Sequence, residues 1–124
     1  ADLRQFAQMT DTSVVLGRAT LERQRPLLKR FMQGYVEAIA LLKKQPEIAY
    51  RALTRYTGNN DRAALEQTFR FYAESMADIP RTEPAGWRNL IATFNKSEKE
   101  MARLLDMSLL DELQREGFFE RLGK

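Results

Sequence analysis

The sequence predicts a mainly α-helical chain with one or two short strands near its beginning. From Ala19 onward, apolar residues recur at the three- and four-residue spacing of amphipathic helices. The four prolines stand where such helical segments would begin or end. The exception is the run from Ser13 to Gly17, which contains two adjacent β-branched residues and is bounded by polar residues and a glycine.

The run Ser13-Val14-Val15-Leu16-Gly17 is the best candidate for a strand, and it is too short to stand alone. Asp2 to Ala7 alternates poorly and is a weaker candidate. Because the backbone groups of a buried strand need a sheet partner, something else must supply one. We therefore expect a chain that is incomplete or assembles with another, and its start at Ala1 rather than at a Met fits that expectation.

The rest of the chain divides into short and medium helices. A short helical turn is predicted from Ala19 to Gln24, followed by a long helix from Pro26 to Lys44 and another that begins at Pro46 and is closed by Gly58. The predicted caps of the later helices are Asn60 or Asp61, Thr82, Ser97 and Ser108. The aromatic residues recur at helical spacing, and most of them are predicted to lie in the core.

Composition excludes several classes of function. The 124 residues predict one domain-sized unit, and the absence of Cys and His excludes Cys/His zinc sites, disulfides, thiol nucleophiles and imidazole catalysis. The carboxylates are scattered, with Glu112 and Glu116 on a predicted solvent-facing side, so neither an enzyme nor a metal or other cofactor is expected. The net charge of +3 is spread over interleaved acids and bases, which argues against a nucleic-acid face.

Arg18 follows the predicted strand and Gly17 directly. A guanidinium at that position could meet an anion or a carboxylate. The alternative is an ordinary surface arginine at a strand end.

The order and spacing of many modest signals resemble a known family. The segments concerned are Thr12-Ser13-Val14-Val15-Leu16-Gly17-Arg18, Arg25-Pro26-Leu27-Leu28-Lys29-Arg30-Phe31, Tyr35-Val36-Glu37-Ala38-Ile39, Leu42-Lys43-Lys44-Gln45-Pro46-Glu47, Ala52-Leu53-Thr54-Arg55-Tyr56-Thr57-Gly58 and the ending from Leu104 to Phe118. Together they resemble the C-terminal part of the periplasmic solute-binding proteins of nitrate, sulfonate and taurine type ABC importers, a group that includes thiamine-pyrimidine binders.

This resemblance implies a fragment of a bilobed α/β periplasmic-binding-protein fold (type II). Residues 1–18 would be the hinge and return strand, and residues 19–124 the helical C-terminal segment of the first lobe. Such proteins are periplasmic or otherwise extracytoplasmic, close a cleft around a small solute and deliver it to the membrane permease subunits of the importer. An N-terminal sheet outside this sequence would account for the strand without a partner.

The resemblance also implies a site and partners. Thr12 and Ser13 are the expected ligand-adjacent residues, with Arg18 in second place; the alternative is that the two hydroxyls only start the strand. The solute would be anionic or heterocyclic, such as a sulfonate, nitrate or a thiamine pyrimidine precursor, and the isolated fragment is expected to self-associate. The competing hypothesis is a stand-alone helical protein–protein interaction module, which should bury Val14 and Val15 within its own bundle.

Overall fold

A computed structural model of the chain describes residues 13–82, 84–94 and 97–122. Within these ranges the chain forms α-helices joined by short connections, and it contains no β-strand. The mainly α-helical prediction is therefore confirmed. The helices are α1 (Arg18–Arg23), α2 (Arg25–Lys44), α3 (Pro46–Thr57), α4 (Arg62–Ser75), α5 (Pro84–Thr93), α6 (Glu98–Ala102), α7 (Ser108–Arg115) and α8 (Phe118–Leu122).

The turn between α3 and α4 follows the sequence signals closely. Gly58 ends α3 in the left-handed region, with φ +71°, which glycine adopts without steric cost. Asp61 precedes α4, and its carboxylate accepts hydrogen bonds from the backbone N–H groups of Ala63 at 2.9 Å and Ala64 at 3.4 Å. This satisfies two of the donors left free at a helix start. Asp61, rather than Asn60, is thus the cap.

Of the two serines predicted to cap later helices, Ser97 is confirmed as a cap and Ser108 is not. The Ser97 hydroxyl accepts from the backbone N–H of Glu100, whose carboxylate accepts from the backbone N–H of Ser97 at 2.9 Å. This reciprocal pair is a capping box. Ser108, by contrast, is the first residue of α7 rather than its cap. The carboxylate of Asp106 accepts from the backbone N–H of Ser108 at 3.0 Å and provides the polar acceptor instead.

The segment Ser13 to Gly17 is not a strand within the described part of the chain, which corrects the expectation for this run. It has no regular secondary structure, Val14 is 50% exposed and Val15 is 89% exposed. The physical reason is that a strand needs a neighbouring edge, and the described residues are helices and connections. Arg18 consequently begins a helix instead of following a strand. Asp2 to Ala7, the weaker candidate, lies outside the described residues.

The main core lies where α2 meets the last two helices. Its buried members are Val36, Leu110, Leu113 and Phe118, and Met32, Ile79, Met107, Phe119 and Leu122 pack around them. Further along the bundle α2, α3 and α4 pack together, and the rings of Tyr50 and Phe69 meet edge to face with centroids 5.5 Å apart. Both groups of contacts involve α2.

The prediction that most aromatic residues lie in the core is wrong for several of them. Among the described residues five aromatic side chains are exposed, namely Phe31, Tyr56, Phe71, Tyr72 and Phe94. Helical spacing places residues on one face, but that face is covered only where another helix packs on it.

Two lysines at the end of α2 attach neighbouring parts of the chain. The ammonium group of Lys43 donates to the backbone carbonyl of Met76, just after α4. The adjacent Lys44 donates to the carbonyl of Leu122 in α8 at 2.9 Å. The C-terminal end of α2 is thereby joined both to the end of α4 and to the last helix.

Truncating the centre of the main core should destabilise the protein strongly. Leu113 is 0% exposed, so Leu113→Ala should lower the free energy of unfolding by about 3 kcal/mol, since a buried leucine loses both its transfer energy and its packing. Urea unfolding followed by circular dichroism measures this. The matched control is Leu104→Ala, at a leucine that is 73% exposed, for which a change within about 0.5 kcal/mol is expected. Equal effects of the two substitutions would contradict the core assignment.

Candidate functional site

The residues predicted from the resemblance do not form a closed site within the described residues. Thr12 lies outside them. Ser13 is exposed at the start of the irregular segment, and Arg18 is exposed at the start of α1. The guanidinium of Arg18 donates to the backbone carbonyl of Arg103 at 2.7 Å. Arg18 therefore joins α1 to the turn after α6.

The carboxylate of Asp106 is stabilised in its charged form. Hydrogen bonds from Ser108 lower the pKa of Asp106, and the positive charges of Arg18 and Arg25 add smaller effects in the same direction. Asp106 thus remains ionised below the pH at which a free aspartate takes up its proton. The guanidinium of Arg18 donates to the Arg103 carbonyl, and its positive charge also favours the ionised form of Asp106.

The described residues also contain an apolar pocket of about 230 Å³ between α2, α3 and α4. Its lining residues are Ile39, Leu42, Lys43, Ala49, Ala52, Leu53, Tyr56, Phe69, Tyr72, Ala73 and Met76. Ile39 and Ala49 are buried, whereas Tyr56 is 84% exposed and Tyr72 is 53% exposed. The pocket therefore has a closed apolar floor and aromatic side chains on its solvent side.

Lys43 is the charged residue in the lining of this pocket, and its charge is already partnered. Its ammonium group donates to a carboxylate oxygen of Asp78 at 2.7 Å as well as to the carbonyl of Met76. The remaining lining side chains are aliphatic or aromatic, with two tyrosine hydroxyls. Such a lining can hold an apolar group by burial of its surface.

A group of charged side chains connects α2 to α7, and we call it the α2–α7 ion cluster. It consists of Arg25, Lys29, Glu112 and Glu116, and the neutral Ser108 hydroxyl is a further hydrogen-bond partner. Glu112 accepts from Arg25 at 3.0 Å and from Lys29 at 2.8 Å. Lys29 also donates to Glu116, and Arg25 to the Ser108 hydroxyl at 3.2 Å. The cluster lies along the same pair of helices that forms the main core.

The carboxylate of Glu112 is stabilised by this arrangement. The hydrogen bond from Lys29 lowers the pKa of Glu112, and the hydrogen bond from Arg25 contributes in the same direction. The same contacts raise the pKa of Lys29, first through Glu112 and then through Glu116. Both shifts favour the charged pair that joins α2 to α7.

The sequence pattern predicts a solvent-facing side for Glu112 and Glu116 and does not identify their basic partners. A signal was present, because Arg25 and Lys29 are four residues apart, as are Glu112 and Glu116. Residues four apart share a helix face, so two basic and two acidic residues at equal spacing can face each other across a helix pair. No local pattern identified α2 and α7 as that pair.

Other features bear on the class of protein. No three acidic residues within the described ranges lie close enough together to hold a metal ion. Of the helices that the structure describes, none has both the length and the apolar character needed to cross a bilayer. Searches of protein-family models, curated proteins and solved structures found no match. The geometry thus defines a helical unit with an apolar pocket and an exposed apolar N-terminal segment.

The α2–α7 ion cluster should make stability depend on acid pH. Because the folded-state pKa of Glu112 lies below the ordinary value of 4.5, its contribution is complete above that value and disappears as the pH falls through the folded pKa. Glu112→Gln should therefore lower the midpoint of thermal unfolding at pH 7. The difference in unfolding midpoint between this variant and the unmodified chain should become smaller as the pH falls from about pH 5 to about pH 2.5.

The control for this prediction is Glu74→Gln. Glu74 is exposed on α4 and has no ion pair with another described residue. Its substitution should leave the midpoint nearly unchanged at every pH. If Glu112→Gln lowers the unfolding midpoint by the same amount at pH 7 and at about pH 2.5, the charge of the carboxylate is not what stabilises the fold.

Proposed function

We propose that the chain is the C-terminal helical segment of a non-enzymatic solute-binding protein of the nitrate, sulfonate and taurine type. In this proposal the whole protein captures a small anionic or heterocyclic solute by closing two lobes around it, outside the cytoplasm. It then presents the closed form to the permease subunits of an ABC importer. The helical segment would belong to the first lobe, with residues 1–18 returning through the hinge.

The observation that carries this proposal is the exposed segment ahead of α1. Val14 and Val15 are β-branched residues suited to a buried strand, yet Val15 is 89% exposed and the segment pairs with no described residue as a strand. A sheet in another part of the protein would provide both the missing backbone partners and a cover for these side chains. The resemblance places such a sheet in the chain upstream of this segment.

The proposal gives the predicted site residues different roles. Thr12 and Ser13 would face the solute cleft through their hydroxyls, at the point where the chain returns through the hinge. Arg18 is less available to a solute, because its guanidinium donates to the Arg103 carbonyl. Half of a cleft offers only some of the convergent contacts that a solute requires. We therefore expect solute binding from the longer protein.

The mass of the protein in its native cells tests the proposal directly. An antibody raised against this segment should detect a species of roughly two to three times 14.4 kDa. That species should fractionate with the periplasm. A native species of 14.4 kDa, or one that fractionates with the cytoplasm, would contradict the proposal.

The second candidate function is a stand-alone interaction module, favoured by the pocket between α2, α3 and α4. Such a module would bind a partner through exposed apolar helix faces. A module of this kind should bury Val14 and Val15 within its own bundle, whereas both are exposed. The exposed segment therefore favours the first candidate over this one.

The isolated chain should self-associate through its exposed apolar residues. Multi-angle light scattering should show a mass that rises with protein concentration, because the apolar side chains of Val14 and Val15 are exposed. The double substitution Val14→Ser and Val15→Ser should reduce this rise. The matched control, Leu104→Ser, removes one exposed apolar side chain elsewhere and should have a smaller effect. A stable monomer at every concentration would contradict the expectation.

A further inference from the structure

We infer that the pocket between α2, α3 and α4 binds a neutral organic molecule with a single ring. Among the described residues, those that line the pocket belong to these three helices, together with the residue that follows α4. The inference is independent of the proposed transport function. It assigns a second binding site, in whose lining the predicted ligand-adjacent residue Ser13 does not take part.

The size of the pocket limits its occupant. An apolar cavity of about 150 Å³ is sufficient to hold benzene, and sites for drug-sized ligands begin at about 300 Å³. At about 230 Å³ the pocket lies between these values. One ring with a small substituent fits this volume, whereas a long acyl chain or a fused multi-ring molecule does not.

The side chains that form the pocket suit a ring. Three alanines, Ala49, Ala52 and Ala73, leave the space between the helices unfilled. Tyr56 makes no hydrogen bond, ring contact or ion pair with another described residue, although it lines the pocket and is 84% exposed. A bound ring would give Tyr56 an aromatic partner, a contact that stabilises the complex beyond the effect of the buried area.

The charge distribution favours a neutral molecule over an ion. Lys43 already donates to the Asp78 carboxylate and to the Met76 carbonyl. A ligand carboxylate would have to compete with Asp78, and a ligand ammonium would meet the like charge of Lys43. Neither ion gains a free counter-charge from the lining. Burial of apolar surface is then the available driving force.

A peptide helix is a poorer match for the same pocket. Helix-in-groove recognition uses anchors one and two turns apart, so it needs a row of apolar subsites. A volume of about 230 Å³ accommodates one such anchor. A small free ring uses the whole pocket without requiring further contacts beyond the rim.

The test is a titration of the isotopically labelled chain, with toluene as the neutral probe and benzoate and benzylammonium as charged analogues of the same ring. Toluene should produce saturable NMR shifts at Ala52, Tyr56 and Ala73. Benzoate and benzylammonium should each bind at least about tenfold more weakly, which corresponds to about 1.4 kcal/mol. The titration should be made at a concentration where sedimentation shows one species.

Two substitutions make the test specific. Ala52→Phe places a ring inside the pocket and should weaken toluene binding at least about tenfold, or 1.4 kcal/mol. The matched control is Ala38→Phe, which makes the same change at an exposed position of α2 outside the lining and should leave binding unchanged. Thermal unfolding verifies that each variant is folded, and Ala52→Leu replaces Ala52→Phe if the latter is not.

Three results would overturn the inference. The first is the absence of saturable shifts at the lining residues up to the aqueous solubility of toluene. The second is unchanged affinity in the folded Ala52 variant. The third is a dimer of the unmodified chain that Ala52→Phe converts to monomer, since a second copy would then occupy the pocket. None of these results depends on the native mass, so failure here and failure of the transport proposal are distinguishable.

Discussion

The packing of α7 and α8 against α2 is the interaction on which the rest of the structure depends. Val36 and Leu113 are almost completely shielded from solvent, and they belong to helices separated by more than sixty residues of chain. The long helix α2 contributes to this core and, nearer its C-terminal end, to the group formed with α3 and α4. A shift of α2 would therefore disturb the ion cluster, the core and the pocket together.

Local chemistry explains why several elements were predictable. Proline at the start of α3, glycine in the left-handed conformation at its end and the Asp61 cap all act within a few residues of their own position. The prediction of Ser108 as a cap is wrong by a small distance along the chain. Asp106, two residues earlier, accepts from the Ser108 backbone N–H, and its charged carboxylate is a stronger acceptor than a serine hydroxyl. The conformation of the segment Ser13 to Gly17, unlike these caps and helix ends, is not decided by neighbouring residues in the sequence. Its conformation depends on a partner that a local pattern does not include.

The candidate sites were much less predictable than the helices. The pocket brings together three helices, and no residue in its lining has a distinctive signature. Tyr56 and Tyr72 were expected in the core, but no further helix within the described residues covers them. The ion pairs between α2 and α7 could be predicted only if it were known that these two helices are neighbours. They join Arg25 and Lys29 to Glu112 and Glu116. The resemblance to solute-binding proteins indicates different residues, namely Thr12, Ser13 and Arg18. Ser13 and Arg18 are exposed, and Thr12 lies outside the described residues.

Several connections between distant parts of the chain end on backbone carbonyls. Arg18 donates to the carbonyl of Arg103, Lys43 to that of Met76 and Lys44 to that of Leu122. Every residue has a backbone carbonyl oxygen, whatever its side chain is. These hydrogen bonds therefore restrict substitution of the donor residue but not of the accepting residue. The three donors must keep long basic side chains. Among the accepting residues, Arg103 is exposed and can change identity, whereas Leu122 also packs against the main core and Met76 lines the pocket.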